Sequence, residues 1–396
     1  MFEGIEMAPP DAILGLTEAF KNDPRPEKVN LGVGIYKDAQ NNTPVFQSVK
    51  QAEERLIAEE KTKSYLPIPG DPAYGLAVRQ MVLGPEHEIL ASKRAVTVHT
   101  PGGTAALRVG GDFIRRNLSC RRIWVSTPTW ENHGAVFSAA GLDVSTYPYY
   151  NASDKGLAFD AMTGALEKVP AGDVVLFHVC CHNPTGIDPT QDQWRQLAGI
   201  SKQAGYLPFF DFAYQGLGDG LEEDARGLQE FCGAGCELLV ASSFSKNFGL
   251  YNERVGALTL VAATADAADR ALSQLKICVR TNYSNPPNHG GAIVTTILGD
   301  PALRTLWECE VREMCGRING MRTAFVDTLR RLGVKQDFSF IARQKGMFSY
   351  SGLTAGQVDA LRERKALYIV RSGRINVAAL TPQNIEPVCR AIASVL

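Results

Sequence analysis

The chain has 396 residues, of which 41 are basic and 42 acidic, so its formal net charge at pH 7 is −1. Hydrophobic residues make up 45% and charged residues 21%, which excludes a disordered chain because enough apolar surface is available for burial. The balanced charge lacks the basic excess that is typical of nucleic-acid-binding proteins, so no nucleic-acid partner is expected.

No membrane or secretory segment is predicted. The longest stretch without Asp, Glu, Lys or Arg, Thr281–Gly299, has 19 residues but contains three Asn and two Pro, which argues against a membrane helix. The first residues are acidic and lack the apolar core of a signal peptide. The nine cysteines include no C-x-x-C pair and are expected to be reduced thiols. We therefore expect a cytoplasmic protein.

The middle of the chain alternates short apolar runs with helical patterns. Several of the runs consist almost entirely of Val, Ile, Leu and Phe, as in strands that are buried on both faces. The predicted strands are Val96–His99, Ile123–Ser126, Val144–Tyr147, Val174–His178, Leu207–Phe210, Leu238–Ser242 and Val255–Val261. The predicted helices are Thr104–Asn117, Asp192–Ala204 and Thr264–Arg280, with Thr264 as the N-cap of the last. This alternation predicts an α/β fold with a mostly parallel, doubly wound sheet.

The pattern changes after residue 300. Apolar residues from Leu303 to Leu329 recur at every third or fourth position, which predicts one long amphipathic helix. We interpret the residues from about 314 onward as a second, smaller domain. The first forty-odd residues contain too few periodic segments to form a domain alone, and we expect them to pack on this C-terminal domain.

Polar residues follow several predicted strands, at the edge where parallel sheets bind ligands. Pro101-Gly-Gly-Thr104 leads into a helix whose free N–H groups suit a phosphate. Asp211 and Tyr214 follow one strand, and Lys246 and Arg254 follow another. Taken one at a time, Asp211 could be a helix cap, Lys246 a solvated lysine and Arg254 a surface ion-pair partner. Together they favour a site with a lysine nucleophile, a carboxylate and a phosphate-binding arginine.

Three other interpretations find less support. His178 and His182 are four residues apart, but on a continuing strand about 13 Å would separate them, so no metal site is expected. Ser243-Phe-Ser-Lys246 matches the S-x-x-K of serine acyltransferases, but the accompanying S-D-N and K-T-G elements do not occur in the chain. No G-x-G-x-x-G or Walker A motif occurs, which argues against a dinucleotide enzyme or a P-loop NTPase.

The segment SFSKNFGLYNERVG, from Ser243 to Gly256, resembles the pyridoxal-phosphate attachment signature of class I aminotransferases. HNPTG at His182, DFAYQG at Asp211 and NYSNPP at Asn282 are similar to the aspartate and aromatic aminotransferases, and the likeness spans essentially the whole chain. The resemblance implies the type I fold of pyridoxal-phosphate-dependent transferases, which is an α/β fold. The expected parts are an N-terminal arm at 1–10, a small domain formed by 11–43 and 314–396, and a large cofactor-binding domain at 44–313.

The resemblance also implies pyridoxal 5′-phosphate as the cofactor and a role for each matching residue. Lys246 is expected to form the Schiff base with the cofactor aldehyde and then to move the proton between Cα and C4′. Asp211 is expected to keep the pyridine nitrogen protonated. Tyr214 and Asn183 are expected to bind the ring 3′-oxygen, and Trp130 to stack on the ring.

Further implied contacts surround this centre. The residues expected at the cofactor phosphate are Gly103, Thr104, Ser243, Arg254 and the partner subunit's Tyr65. His133 and His178 are expected to support Asp211. The residues expected at the substrate are Gly34, Trp130, Asn183, Arg280 and Arg374, with Arg374 on the α-carboxylate and the partner's Arg280 on the distal carboxylate. These assignments imply a homodimer with shared active sites, acting on small amino acids and 2-oxo acids.

Within this resemblance, L-aspartate is the favoured amino donor and 2-oxoglutarate the acceptor. Four pocket positions resemble the aspartate type: Lys37, Thr43, Thr104 and Asn285. Ile35 and Ser64 match neither type, whereas Trp130–His133 and Val144–Pro148 resemble the aromatic type. The alternative is therefore an aromatic amino acid (tyrosine) aminotransferase of broad specificity. Another reaction at Cα on the same cofactor and a non-enzymatic ligand sensor remain open at this point.

Overall fold

The computed structural model describes residues 1–8 and 14–396, so the expected N-terminal arm and the start of the segment 11–43 lie partly outside the described residues. The helices are α1 (Leu14–Asn22), α2 (Gln47–Glu59), α3 (Pro72–Leu83), α4 (Glu88–Ala91), α5 (Gly103–Asn117), α6 (Asn132–Ala139), α7 (Phe159–Leu166), α8 (Gln191–Ala204), α9 (Arg226–Gly233), α10 (Ala265–Asn282), α11 (Asn288–Gly299), α12 (Pro301–Arg331), α13 (Ala355–Lys365) and α14 (Ile385–Ala393). The strands are β1 (Val29–Asn30), β2 (Ala95–Thr100), β3 (Arg122–Thr127), β4 (Asp143–Pro148), β5 (Tyr150–Asn151), β6 (Gly156–Leu157), β7 (Val174–His178), β8 (Leu207–Phe212), β9 (Leu238–Ser243), β10 (Gly256–Val261), β11 (Phe348–Tyr350), β12 (Leu367–Tyr368) and β13 (Arg374–Asn376).

The described residues form two compact units. The large unit comprises residues 44–183 and 187–316, and the small unit comprises the described part of 1–43 together with 184–186 and 317–396. Among the helices of the described ranges, none combines the length and apolar character that crossing a bilayer requires.

The large unit is built on a seven-stranded sheet with the order β2-β10-β9-β8-β7-β3-β4. β10 pairs antiparallel with both β2 and β9, whereas the pairs from β9 through to β4 are parallel. The expected mostly parallel α/β sheet is confirmed. The reversal of β10 places its first residue at the edge where the neighbouring strands end.

The central strands are buried because their sequences are apolar on both faces. Every residue of β2, β7, β9 and β10 is buried, whereas the edge strand β4 buries one of its six residues. Helix α5 packs on this sheet through a glycine, since a Cβ at Gly110 would lie 2.5 Å from Phe209 Cζ. This close approach holds the N-terminus of α5 beside the strand ends.

Several helix ends follow local sequence signals. Thr264 accepts a hydrogen bond from the Ala267 N–H at 3.2 Å, which confirms the predicted N-cap of α10. Thr190 and Gln193 form a capping box at the start of α8, which ends at Gly205 in the left-handed conformation with a φ of 75°. The predicted long amphipathic helix is α12, which runs to Arg331.

The small unit contains two short strand pairs. β1 pairs parallel with β12, and β11 pairs antiparallel with β13. The buried Arg322 of α12 donates to the carbonyls of Gly346 at 2.5 Å and Phe348 at 3.3 Å. The guanidinium therefore anchors β11 from the helix side.

Candidate active site

Neighbouring strands deliver polar residues to one edge of the large sheet. β7 ends at His178, which lies in register with Asp211 on β8. β9 ends at Ser243, three residues before Lys246. Because β10 runs antiparallel, Arg254 precedes its start and reaches the same edge. The edge thus collects an imidazole, a carboxylate, a hydroxyl, an amine and a guanidinium.

The carboxylate of Asp211 is held by a buried histidine. His133 on α6 is fully buried, and its Nε2 lies 2.9 Å from Asp211 Oδ2. Burial alone raises the pKa of Asp211, but the hydrogen bond from His133 and the electrostatic interactions with His133, His178 and Lys246 outweigh it, so this pKa lies below its ordinary value. Asp211 therefore stays ionised at neutral pH in a largely enclosed position, where it is a strong partner for a cation.

A directed chain of hydrogen bonds leads to Asp211. The Asn183 backbone N–H can only donate, and it lies 3.2 Å from His178 Nδ1, so that nitrogen accepts. His178 Nε2 then carries the proton and donates to Thr129 Oγ1 at 3.2 Å, and the Thr129 hydroxyl donates to His133 Nδ1 at 2.8 Å. A neutral His133 then carries its proton on Nε2, facing Asp211. One backbone amide thus sets the tautomers of two histidines.

We expect Thr129→Val to disrupt this chain, because valine has a similar shape but no hydroxyl. Two buried imidazole nitrogens then lose a partner, which costs about 1–3 kcal/mol of unfolding free energy. The midpoint of urea unfolding should fall, and the imidazole ¹⁵N shifts of His133 and His178 should show mixed tautomers. Thr129→Ser is the matched control and should retain both signals. Unchanged tautomers in Thr129→Val would contradict the chain.

The separation predicted for His178 and His182 is wrong. β7 stops at His178 and the chain turns back, so the two ring centroids lie 4.3 Å apart. Both nitrogens of His178 take part in the chain described above, and His182 Nε2 lies 2.9 Å from Ser126 Oγ. The His182 ring also stacks on Tyr149 with centroids 3.8 Å apart. Both rings thus serve as packed, hydrogen-bonded supports behind the sheet edge.

Cys180, Cys181 and Asp224 bring three potential metal-ligand atoms within 4.8 Å of one another. The Asp224 oxygens already accept three backbone N–H groups of the turn 216–219. Burial raises the pKa of Cys181 to about 12, so its thiol is protonated at neutral pH. A protonated thiol is a poor metal ligand, and the carboxylate is occupied in anchoring the turn.

A crowded turn at the N-terminus of α5 presents its backbone to the site. Gly102 has a φ of 84° and caps α5 without a side-chain hydrogen bond. A Cβ at Gly102 would lie 2.4 Å from Arg254 Nη2, and a Cβ at Gly103 would lie 2.9 Å from Ser243 Cβ. A Cβ at Gly256 would lie 2.5 Å from the Gly102 carbonyl carbon. The three glycines therefore allow a helix N-terminus, a hydroxyl and a guanidinium to converge, a combination that suits an anion.

The backbone of Arg254 is itself unusual. Its φ of 54° lies in the left-handed region, which non-glycine residues adopt at a cost that the surroundings must offset. Arg254 Nη1 donates to Ser245 Oγ at 3.2 Å and to the Tyr251 carbonyl at 3.0 Å. These two bonds fix the plane of the guanidinium and hold Nη2 beside Gly102.

Lys246 is influenced by both the carboxylate and the arginine. Its side chain is partly buried, and Nζ lies 4.9 Å from the centroid of the Tyr214 ring. Burial lowers the pKa of Lys246 to about 8, with the Arg254 charge acting in the same direction and the Asp211 charge opposing it. An amine with this pKa is partly unprotonated near neutral pH, so it can act as a nucleophile and exchange protons.

Four other cofactor or substrate residues predicted in the large unit fall into two groups. Trp130 packs edge-to-face on His133 with centroids 5.2 Å apart, and the buried Asn183 adjoins His178, so both join the cluster. Tyr65 is 92% exposed, and Arg280 is exposed at the end of α10, where it donates to Ser284 Oγ. Within the described ranges, neither of these two side chains hydrogen-bonds to Asp211 or Lys246.

The small unit holds the remaining predicted residues, Arg374 and Gly34. Arg374 is buried, its Nη2 donates to the Gly32 carbonyl at 2.8 Å, and its guanidinium lies 4.3 Å from the Phe348 ring centroid. A Cβ at Gly34 would lie 2.8 Å from Phe348 Cζ. Asn376 Nδ2 donates to the Val33 carbonyl at 2.5 Å, which fixes the same loop. Arg374 and the segment 32–34 are thus brought together around one aromatic ring.

Thr129 is the residue of this site that the sequence analysis did not identify. It lies two residues beyond the end of β3, on the edge where the other polar residues collect. Its only sequence signal is this position after a parallel strand, which many structural threonines share. Of its two partners, His133 lies four residues away in the chain, but His178 lies 49 residues away. Only the folded structure brings all three side chains together.

Comparison with known proteins places the chain among pyridoxal-dependent transferases. The family model "Aminotransferase class I and II" matches residues 26–392. Aspartate aminotransferase of Escherichia coli K12 is 56% identical over 396 residues, covering 100% of both chains, and the aromatic-amino-acid aminotransferase of the same organism is 45% identical, also covering 100% of both. The crystal structure of the aromatic-amino-acid aminotransferase from Burkholderia pseudomallei, covalently bound to pyridoxal phosphate, matches with a TM-score of 0.98 and 48% identity, covering 100% of this chain and 99% of that one.

These matches extend over nearly the full length of the chain and agree with the arrangement of Lys246, Asp211 and Arg254 at one sheet edge. The chain belongs to the class I and II aminotransferases, in the subgroup that contains the aspartate and aromatic amino acid enzymes.

Proposed function

We propose that the protein is an aspartate aminotransferase that transfers the amino group of L-aspartate to 2-oxoglutarate with pyridoxal 5′-phosphate as cofactor. The observation that carries the proposal is the placement of Lys246, with its pKa of about 8, within electrostatic reach of Asp211 and Arg254. Full-length aspartate aminotransferase relatives of 54–56% identity support the substrate.

The residues present fit the cofactor. The Gly102–Gly103 turn has no room for a Cβ, so its backbone lies close to Ser243 and Arg254, and the three can converge on one anion, as a phosphate requires. The ionised Asp211 is a suitable partner for a protonated pyridine nitrogen. Arg254, Ser243, Thr104 and the Gly103 N–H would hold the phosphate, together with the partner subunit's Tyr65. Tyr214 and Asn183 would hold the ring 3′-oxygen, and Trp130 would stack on the ring.

When bound, pyridoxal phosphate supplies an electron sink for the bond that breaks at the substrate Cα. Lys246 Nζ would be the nucleophile that attaches the cofactor, and as a free amine it would accept the proton that leaves the substrate Cα. Asp211 would hold a proton on the pyridine nitrogen. His133 keeps Asp211 ionised and oriented because its own tautomer is set by the chain through Thr129.

Two arginines are proposed to bind the two carboxylates of the substrate. Arg374, with Gly34, Asn183 and Trp130, would bind the α-carboxylate, a planar group that suits a buried guanidinium fork. Arg280 would bind the distal carboxylate from the partner subunit, which is supported by its exposure at the end of α10. The active homodimer with shared sites is part of this proposal. A cytoplasmic location is also proposed, supported by nine cysteines that are all free thiols.

The second candidate function is transamination of aromatic amino acids. Its support is the resemblance to aromatic-amino-acid aminotransferases, at 45% identity over the full chain for the Escherichia coli enzyme. The discriminating experiment is the ratio of kcat/KM for aspartate to that for phenylalanine and tyrosine. A ratio well above one supports the aspartate enzyme, whereas a ratio near or below one supports the aromatic alternative.

Arg280→Ala should separate the two substrate classes. We expect kcat/KM for aspartate to fall roughly hundredfold, because a charge-assisted pair with the distal carboxylate is lost. The value for phenylalanine should change little, since phenylalanine has no carboxylate at that position. Arg270→Ala, an exposed arginine on the same helix, is the matched control and should leave both values unchanged. Equal losses for both substrates would contradict the role of Arg280.

The shared-site part of the proposal has its own test. We expect a mixture of Lys246→Ala and Arg280→Ala chains, refolded or co-expressed, to recover more aspartate activity than either variant has alone. In the heterodimer, one of the two sites combines Lys246 from one chain with Arg280 from the other. Heterodimers that form without recovered activity would show that Arg280 does not act across subunits.

A further inference from the structure

A large cavity lies at the C-terminal end of α5, away from the Gly102–Gly103 turn. Its volume is about 920 Å³, within the range of sites that hold small organic molecules. The ends of α5, α6 and α10 contribute to its lining. We call it the arginine cavity after four of its lining residues: Arg108, Arg115, Arg116 and Arg121.

The positive charge of the arginine cavity is largely uncompensated. Asp112 is the one acidic residue in its lining. Arg108 Nε lies 2.9 Å from Asp112 Oδ1, and Asn282 Nδ2 donates to Oδ2 at 3.4 Å, so each oxygen of this carboxylate has a partner. Among the described residues, no carboxylate lies within ion-pair distance of the three remaining arginines. Three guanidinium groups therefore surround the cavity without a counter-charge.

The helix dipoles offset only part of the positive charge of these arginines. Arg115 and Arg116 occupy the last turn of α5, where a cation offsets the helix dipole. Each helix C-terminus carries about half a negative charge, so the three helix ends at the cavity supply about −1.5 against three unpaired positive charges. A surplus of about 1.5 positive charges remains after this compensation.

Two of the three unpaired guanidinium groups are positioned by the backbone around them. Arg121 Nη1 donates to the Arg115 carbonyl at 3.2 Å, which ties the loop after α5 to the helix end. Gly141 has a φ of 80°, and a Cβ there would lie 3.5 Å from Arg115 Nε, so the arginine side chain lies along this turn. Planar donors that are already oriented lose less freedom when they bind a phosphate.

We propose that the arginine cavity binds a compact polyanion with at least two phosphate groups, either as free polyphosphate or as the phosphate chain of a nucleotide. The site is separate from the cofactor phosphate, because α5 has 15 residues and its two ends lie about 22 Å apart. The exposure of Arg115, Arg116 and Arg121 makes the binding dependent on salt concentration.

The test is isothermal titration of the holoenzyme at low salt with tripolyphosphate and, separately, with ATP. The holoenzyme is used so that bound cofactor occupies the Gly102–Gly103 turn and the titrant cannot bind there. We expect saturable binding with one site per chain. Equal affinities for tripolyphosphate and ATP would show that the cavity recognises the phosphates. Tighter binding of ATP would show that the nucleoside also contributes.

The double variant Arg115→Ala/Arg116→Ala should weaken binding roughly tenfold, since two exposed charge contacts are lost. The matched control is Arg330→Ala/Arg331→Ala, which removes the same adjacent pair from the last turn of α12. The control should bind tripolyphosphate like the unmodified protein, and both variants should keep their aspartate activity. An equal loss of affinity in both variants, or the absence of saturable binding to the unmodified holoenzyme, would overturn the proposal.

Discussion

Lys246→Ala is expected to lower aspartate turnover by at least roughly 10⁴-fold, since general acid–base catalysis alone contributes up to about that factor. The proposed nucleophile for cofactor attachment is lost in the same change, which adds to the expected effect. The fold should survive, because Lys246 lies in a loop after β9 and its side chain is only partly buried. Steady-state kinetics and the thermal unfolding midpoint measure the two expectations separately.

Two controls define the Lys246 experiment. Lys202→Ala removes an exposed lysine from the last turn of α8 and should leave turnover unchanged. Borohydride reduction of the unmodified holoenzyme, followed by peptide mapping, should recover the cofactor on Lys246. Recovery of the cofactor on another lysine would reject the assignment, even if Lys246→Ala were inactive.

Asp211→Asn is expected to lower kcat roughly 10³-fold, at the upper end of the loss observed when one preorganised electrostatic group is removed. Asparagine keeps the shape of the side chain and an oxygen that can accept from His133, but it removes the negative charge that we propose to hold a proton on the pyridine nitrogen. The cofactor should still bind, because the Gly102–Gly103 turn and Arg254 are unchanged. Kinetics and the cofactor dissociation constant test both statements.

Asp211→Glu supplies the comparison, since it keeps the charge but moves it by one methylene. We expect it to retain more activity than Asp211→Asn. Asp266→Asn, at the exposed start of α10, controls for the loss of one carboxylate and should have no effect. Turnover near that of the unmodified protein in Asp211→Asn would show that Asp211 acts only as a structural partner of His133.

Much of the architecture could be predicted because it is encoded locally. The buried strands are continuous apolar runs, and the ends of α8 and α10 carry capping residues whose hydrogen bonds span three positions. Such signals need no tertiary information. The antiparallel direction of β10 was not predicted, since a strand sequence does not indicate which way it pairs. The antiparallel direction of β10 is nevertheless the reason that Arg254 reaches the site.

The candidate site likewise contains residues that the sequence identifies and residues that only the folded structure reveals. The residue types at Lys246, Asp211 and Arg254 could be identified from motifs, because SFSKNFGLYNER and DFAY are short, continuous segments at the ends of β9 and β8. Thr129 could not, since its role depends on His133 and His178 meeting it in space. The predicted 13 Å separation of His178 and His182 failed because it assumed a continuing strand, whereas β7 ends at His178.

The sequence by itself therefore determined the fold class, the family resemblance and the chemical groups of the site, all of which rest on local periodicity and short motifs. Only the tertiary structure decided how those groups act on one another. Burial, aided by the Arg254 charge and opposed by the Asp211 charge, lowers the pKa of Lys246 to about 8, and a hydrogen bond from His133 keeps Asp211 ionised despite its burial. These effects arise from dielectric and distance, which are properties of the packed chain rather than of the order of its residues.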